Sequence, residues 1–350
     1  MAVAVYLALL VVRVGLAWWM VRRGAAEAWQ GPVTVLQPIL AGDPKLEGCL
    51  AANLAGNPGV RFVWLVDEDD ALGREIAGRL ANDRVTVMVG PPPAQGENPK
   101  IAKLARVDLG AGVVVVLDDD SSIEEASLRQ LTGADLVTGL PVFVDAGTVW
   151  ERFVGGFVNG SAILTYLPAA AVGAQRTING MIYATPAATL REVGGFGAVV
   201  DCLTDDYAMA KLYEGRGKSL RQAPVFARVT MTIASAGHCG RVMRRWLIFA
   251  NRYLAENLTV GSFCLVVLPA LLPWVLVSSG WGWVLLAKAV VNRVCLWRWA
   301  GVRSGIGDLL LEVVADLALP VLYLSSLVRP GRMSWRSRQI DVSDGRIRYR

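Results

Sequence analysis

Residues 3–21 form an apolar run about as long as a bilayer crossing requires, broken by one charge, Arg13. Three further apolar segments, 258–279, 281–300 and 308–328, lie towards the other end of the chain. A single water-soluble core cannot absorb four such stretches. Hydrophobic residues make up 54% of the chain and charged residues still 19%. That balance fits one soluble domain joined to a few membrane spans better than an all-membrane bundle. Arg22 and Arg23 follow the first run and no Lys or Arg precedes it. A secretory leader would carry its basic residues in front, so the run reads as a retained anchor, with the residues after it in the cytoplasm.

The second C-terminal segment carries Lys288 and Arg293, and the third Glu312 and Asp316. Charges inside spans face a bundle interior or a polar cavity, or snorkel to the interface. Three spans would leave residues 329–350 outside, whereas the seven arginines of that tail favour the inside. The two signals agree only if one segment lies in the interface. A further apolar run, 153–173, has no charge and is also long enough to span.

The net charge of +5 is modest, and the arginines cluster beside apolar segments. They suit anionic lipid headgroups, and no basic–aromatic stretch points to nucleic acid. The five cysteines are scattered without a C-x-x-C pair, which argues against a zinc site or a disulfide framework and fits a reducing compartment. A single histidine, His238, excludes multi-histidine metal sites and most histidine-based triads. Carboxylates are left as the chemical actors, and His238 itself reads as structural or interfacial.

From residue 32 to about 231 short β-rich runs alternate with helical stretches. Runs 33–36, 61–66, 84–89 and 113–117 each suit a buried parallel strand. Asp43 is placed to cap a helix beginning with Pro44. Strand, helix and strand in repetition predict a doubly wound α/β sheet, whose ligands sit at the carboxyl ends of the strands.

Acidic clusters fall at those ends. Residues 67–70 (Asp-Glu-Asp-Asp) follow the second run and Asp118-Asp119-Asp120 follows the fourth. Such clusters repel internally unless a cation sits between them, and Asp-x-Asp is a hard-oxygen set suited to Mg2+ or Mn2+ beside substrate phosphates. One cluster alone is as well explained by a solvated acidic turn; two at successive strand ends favour a site. Asp205-Asp206-Tyr207 lies further on. Without a usable histidine, a carboxylate is the natural base to take a proton from an attacking hydroxyl. Asp206 is assigned that role and Asp205 a helix N-cap. Arg241, Arg244, Arg245 and Trp246 suit a diphosphate and an acceptor, or equally a basic amphipathic helix on a membrane surface.

In this order the motifs resemble the ceramide glucosyltransferases and their bacterial relatives among GT-A, family 2/21-type glycosyltransferases. The resemblance runs over about residues 32–250. Residues 33–47, including Pro38, resemble the family's first strand and turn; 66–71 its first acidic motif; Asn98-Pro99-Lys100-Ile101 its lysine loop. Asp118-Asp119-Asp120 stands at the metal-binding Asp-x-Asp, and 204–210 resembles the third acidic motif. Asn179-Gly180-Met181 and Gly194-Gly195 also fit the spacing. The resemblance implies an α/β, GT-A (Rossmann-like) domain between an N-terminal transmembrane anchor and C-terminal transmembrane helices. The expected divisions are 1–23 (anchor), 30–250 (cytoplasmic GT-A domain), 256–328 (transmembrane helices) and 329–350 (basic tail).

It further implies inverting transfer of a sugar, glucose first, from a UDP-sugar to a membrane lipid such as ceramide, at the cytoplasmic face of a bacterial inner membrane. Pro38, Asp67, Lys100 and Asp118 would bind the nucleotide-sugar, Asp118 and Asp120 a Mg2+ or Mn2+ ion, and Asp206 would be the base. Arg241, Arg245 and Trp246 would serve the diphosphate or acceptor. One departure stands out: the family has Gln or Arg, then two residues, then Arg-Trp, and at that first position this chain has Val242, with Arg241 one place early. A transmembrane 153–173 would separate Asp118 from Asp206, so that run is expected to be interfacial or partly buried near the acceptor entrance. A processive polysaccharide synthase is the alternative enzyme, normally with more spans and an intact motif. A non-catalytic membrane protein with a degenerate nucleotide fold is the alternative outside enzymes.

Overall fold

A computed structural model describes residues 1–24, 26–328, 332–335, 338–343 and 346–349. The chain divides into two compact units. One comprises Met1–Gly24, Val142–Gln175 and Thr232–Pro330; the other comprises Ala25–Pro141, Arg176–Met231 and Gly331–Arg350. The stretch 30–250, expected as one domain, therefore contributes segments to both.

The second unit holds the sheet. Its strands are β1 (Val33–Pro38), β2 (Arg61–Asp67), β3 (Val85–Gly90), β4 (Val113–Leu117), β5 (Ser121–Ser122), β6 (Leu136–Phe143), β7 (Ile182–Pro186) and β8 (Leu220–Val229). Their order is β3-β2-β1-β4-β7-β6-β8-β5. The four expected strands form the parallel part, with β1 between β2 and β4. All five residues of β4 are buried, and its valines alternate between two cores. Val113, Val115 and Leu117 pack with Phe62 and Trp64 on one face; Val114 and Val116 pack with Leu36, Tyr183 and Met209 on the other. Beyond β4 the sheet turns antiparallel through β7, which the expected doubly wound pattern did not contain.

Helices complete this unit, and with those of the other they are numbered along the chain. Here lie α2 (Leu46–Gly56), α3 (Ala71–Leu80), α4 (Pro99–Leu104), α5 (Glu125–Leu128), α7 (Ala187–Glu192) and α8 (Asp205–Glu214). The helix expected from Pro44 begins at Leu46. Asp43 instead accepts the Lys45 N–H at 2.9 Å and holds Pro44 and Lys45 in a turn. The basic tail forms three antiparallel strands, β9 (Arg332–Trp335), β10 (Arg338–Ser343) and β11 (Arg346–Tyr349).

The helical unit contains α1 (Ala2–Arg23), α6 (Val149–Ala171), α9 (Ala236–Asn257), α12 (Trp283–Ala300) and α13 (Ile306–Leu327). Between α9 and α12 a turn, α10 (Val260–Ser262), runs through a π-helical turn into α11 (Leu268–Ser278). Among the described residues four helical stretches are long and apolar enough to cross a membrane: Ala2–Arg23, Val149–Ala171, Val260–Ser278 and Ile306–Leu327. Run 153–173 is thus the body of α6, and its Val154, Ile163, Leu164 and Leu167 are buried.

Helix α12 carries its polarity inward. Trp283, Leu286, Val290, Val294 and Trp297 are exposed, whereas Lys288 and Asn292 are buried. That reverses a soluble amphipathic helix and suits an apolar surrounding. Lys288 Nζ meets Glu312 Oε1 at 2.9 Å and Asp316 Oδ2 at 2.9 Å, and Arg293 Nε meets Glu312 Oε2 at 2.8 Å. Two cations and two carboxylates balance. Helix α6 approaches α13 closely at Gly156 and Gly160: a Cβ at Gly156 would lie 3.1 Å from the Glu312 nitrogen, and one at Gly160 3.1 Å from Glu312 Cγ. This small-x-x-x-small spacing lets the two backbones meet.

Arg13, the charge inside the first apolar run, has a specific task. Pro168 lacks an N–H, so the carbonyl four residues earlier, Leu164 O, loses its helical donor. Arg13 Nε donates to that carbonyl, and Arg13 Nη2 donates to Thr165 Oγ1 at 3.0 Å. Replacing Arg13 by Met keeps the apolar stem and removes both donors. The expected cost is about 1–3 kcal/mol, read as a lower unfolding temperature in detergent. An unchanged temperature would show that the carbonyl needs no partner there.

Candidate active site

In the α/β unit, reversal of strand order between β1 and β4 opens a crevice at their carboxyl ends. Asn98 brings its components together. As N-cap of α4 it accepts the Lys100 N–H at 3.0 Å, with Pro99 at the first helical position. Its amide nitrogen donates to Cys202 O at 3.2 Å, and its backbone N–H to Val200 O at 2.6 Å. One side chain thus starts the helix that carries Lys100 and grips the segment leading into α8, which carries Asp205 and Asp206.

Lys100 Nζ lies 2.7 Å from Asp118 Oδ1 and 3.1 Å from Asp205 Oδ2, and donates to Gly180 O at 2.6 Å. The Tyr183 ring centroid is 6.0 Å from it. Gly180 is the tight point, because a Cβ there would sit 3.3 Å from Asp206 Cβ and 3.7 Å from Lys100 Nζ. Gly194 and Gly195, both at positive φ (107° and 69°), turn the chain from α7 towards Phe196 in the core. Burial works against the Lys100 charge, but Asp118 and Asp205 outweigh it and hold the ammonium well above its ordinary range. Burial raises the Asp118 carboxyl, which Lys100 partly offsets. Asp206 is raised to about 7, first by burial and then by Asp205, against the Tyr207 N–H and Lys100. Asp118 and Asp205 therefore share the Lys100 ammonium, with Asp206 next to Asp205 in the chain.

A second cluster stands at the end of β2. Asp67 is 2% exposed; its Oδ2 lies 3.2 Å from Lys103 Nζ, and its Oδ1, 3.7 Å from Arg106 Nη1, has no hydrogen-bond partner. Burial pushes the Asp67 carboxyl up and the Lys103 ammonium down, each partly countered by the other. Lys103 also donates to Ile39 O, beside Pro38 at the end of β1. The sequence reading did not single out Lys103, although its place three residues after Lys100 puts it on the next turn of the same helix.

Some of the acidic residues are structural. Asp70 accepts from Gly73 N at 2.9 Å as N-cap of α3 and from Ala41 N at 2.9 Å. Asp119 accepts from Leu40 N at 2.8 Å, tying β1 to β4. Thr204, not Asp205, occupies the N-cap of α8; Asp205 is in its first turn, facing Lys100. Of the expected metal pair, Asp118 faces Lys100 and Asp120 accepts from Ser121 Oγ at 3.2 Å. Among the described residues no three His, Cys, Asp or Glu side chains converge as a metal cluster.

Arg241, Arg245 and Trp246 belong to α9 of the helical unit. Arg244 is committed there: it donates to Ser325 O at 3.2 Å and Val328 O at 2.6 Å, capping the C-terminal end of α13. These bonds tie α9 to the end of α13. The His238 backbone N–H donates to the capping Ser235 Oγ at 3.2 Å at the start of α9.

Asp206 supplies a pH test. Its value of about 7 exceeds the ordinary 3.8, so the folded chain holds this proton more tightly than the unfolded one. That preference stabilises fully below about pH 4 and is lost as pH rises through about 7. Asp206→Asn removes the ionisation. The variant should unfold a few degrees above the wild type at pH 8, with the gap narrowing as pH falls through 7 and closing below about pH 4. A gap that does not change with pH would contradict the raised value.

The description Glycosyl transferase family 21 matches residues 1–348. Among solved structures, a mannosyltransferase from Pyrobaculum calidifontis in complex with GDP-Man and Mn2+ is 16% identical, with 94% of this chain and 98% of that one covered and a TM-score of 0.48. A 4-diphosphocytidyl-2C-methyl-D-erythritol synthase from Anaerococcus prevotii is 12% identical, with 64% and 96% covered and a TM-score of 0.37. A glucosyl-3-phosphoglycerate synthase from Mycobacterium tuberculosis, with Mn2+, UDP and phosphoglyceric acid, is 16% identical, with 62% and 78% covered and a TM-score of 0.35. No curated protein matches the chain.

Proposed function

The chain belongs to glycosyl transferase family 21, and from that premise we propose that it is an inverting enzyme moving a hexose, glucose first, from a UDP-sugar to the hydroxyl of a membrane lipid such as ceramide. The observation that carries this reading is the cluster of Asp206, Asp205 and Asp118 around Lys100, in which Asp206 is poised near neutrality. A base that ionises near the working pH is suited to accept a proton in the transition state.

In this reading the lipid hydroxyl attacks the anomeric carbon as its proton passes to Asp206. The bond from that carbon to the diphosphate oxygen breaks, and UDP leaves. Lys100 offsets charge on the departing diphosphate, and the orphaned Asp67 Oδ1 is a ready acceptor for the imide N–H of uracil. Lys103 and Arg106 keep that buried carboxylate supported.

Hard carboxylate oxygens in excess over one ammonium suit Mg2+ or Mn2+. Asp118 and Asp120 would hold the ion, which supplies neutralisation of the diphosphate when bound. Arg241, Arg245 and Trp246 are proposed for the diphosphate or acceptor. The apolar outer faces of α1, α11, α12 and α13 support a membrane setting, with the α/β unit placed at the cytoplasmic face of a bacterial inner membrane.

The test is UDP release by the protein in mild detergent, across several UDP-sugars and lipid acceptors, with Mg2+ or Mn2+. Release should require a lipid, and Asp206→Asn should lower kcat by about 10²–10⁴-fold. Asp67→Ala should raise the KM of the UDP-sugar more than that of the lipid. Lipid-dependent release that survives in Asp206→Asn would rule this residue out as the base.

A further inference from the structure

Within the helical unit a continuous set of contacts runs from the buried charges to Trp246. Glu312, fully buried, is held by Lys288 and Arg293, and it accepts from Asn292 Nδ2 at 3.1 and 3.2 Å. The same Asn292 nitrogen donates to Asn159 O on α6 at 2.8 Å. The Asn159 side chain clamps Phe143 from both sides: its Oδ1 accepts the Phe143 N–H at 2.8 Å, and its Nδ2 donates to Phe143 O at 2.9 Å. The Phe143 ring then meets Trp246 edge-on, with centroids 6.1 Å apart and planes at 79°. Lys288 and Arg293 already balance Glu312 and Asp316 in charge. The two asparagines add what neutrality does not need, a fixed placement for one aromatic residue.

An edge-to-face pair is worth about 0.5–1.5 kcal/mol and depends on geometry. It holds the indole only where the Phe143 backbone is itself fixed. Phe143 is the last residue of β6, and the Asn159 clamp holds its backbone where the strand ends and the chain turns towards α6. A side-chain amide offering one acceptor and one donor to a single residue reproduces the pairing of a β-ladder.

We propose that Asn159 and Asn292, seated on Glu312, are positioning residues for Trp246, setting the indole against which the lipid acceptor is received. This rests on the function proposed above. The asparagines act through Phe143 and do not touch substrate, so their loss changes acceptor use and leaves donor use alone.

The experiment uses the full chain in detergent and compares Asn292→Ala, Phe143→Leu, Trp246→Ala and the double variant Asn292→Ala/Trp246→Ala. Asn292→Ala should raise the acceptor KM about 5–10-fold, the size of a coupling between contacting residues, and leave the UDP-sugar KM unchanged. The double variant should be no worse than Trp246→Ala alone. Phe143→Leu, which leaves the charge cluster intact, should reproduce the acceptor effect even if Asn292→Ala folds poorly. Equal changes in both KM values, or effects of Asn292→Ala and Trp246→Ala that multiply, would overturn the proposal.

A readout independent of activity is 19F NMR of protein labelled with 5-fluorotryptophan, the Trp246 signal being assigned by its loss in Trp246→Phe. That signal should move in Asn292→Ala as it does in Phe143→Leu. A signal that stays in place refutes the positioning role whether or not the glycosyltransferase reading holds. Loss of all UDP release with a signal that does move would instead count against the functional reading.

Discussion

A charge or carbonyl taken out of water needs a partner, and leaving one unpaired costs several kcal/mol. Both units of this chain are organised around places where that demand is met. In the helical unit Pro168 strands the Leu164 carbonyl and Arg13 supplies the missing donor. Glu312 is surrounded by Lys288, Asn292 and Arg293. In the α/β unit Lys100 stands between Asp118 and Asp205. Each contact joins segments far apart in sequence, so satisfying the charge also fixes the packing.

The two units answer the demand differently, and the difference separates scaffold from chemistry. Lys288 and Arg293 balance Glu312 and Asp316 in number and join α12 to α13. At Lys100 two carboxylates, Asp118 and Asp205, face one ammonium. Burial first and the neighbouring Asp205 second raise Asp206 to about 7.

Much of this was legible from periodicity and residue type. The four parallel strands and the apolar helices fall close to where local pattern places them. What depends on distant partners was not legible. Asn98 reads as an ordinary helix cap, and nothing local shows that the same amide grips Cys202 O. Lys103 reads as a basic residue on a short helix until the Asp67 carboxylate is found 3.2 Å away. The antiparallel half of the sheet is formed by pairings such as β4 with β7, between segments about seventy residues apart. Asp70 and Asp119 looked like site residues because composition cannot separate a carboxylate that caps backbone N–H groups from one that meets a substrate.

The one-residue offset at Arg241 has a physical reading of its own. Val242 is 6% exposed and faces the interior of the helical unit, whereas Arg241 is exposed. A long polar side chain at 242 would need a buried partner, so an apolar residue suits that face of α9. Moving the cation back one place changes its spacing to Arg245 from three residues to four, and both spacings make neighbours on a helix surface. Arg241 and Arg245 therefore lie one above the other on the same face, with no distortion of α9. Arg244, turned about 100° from Arg245, is the guanidinium given to the end of α13. The displaced arginine thus preserves a pair of adjacent cations while the position it vacated strengthens the core, and this arrangement makes the departure from the family pattern compatible with the role expected of that pair.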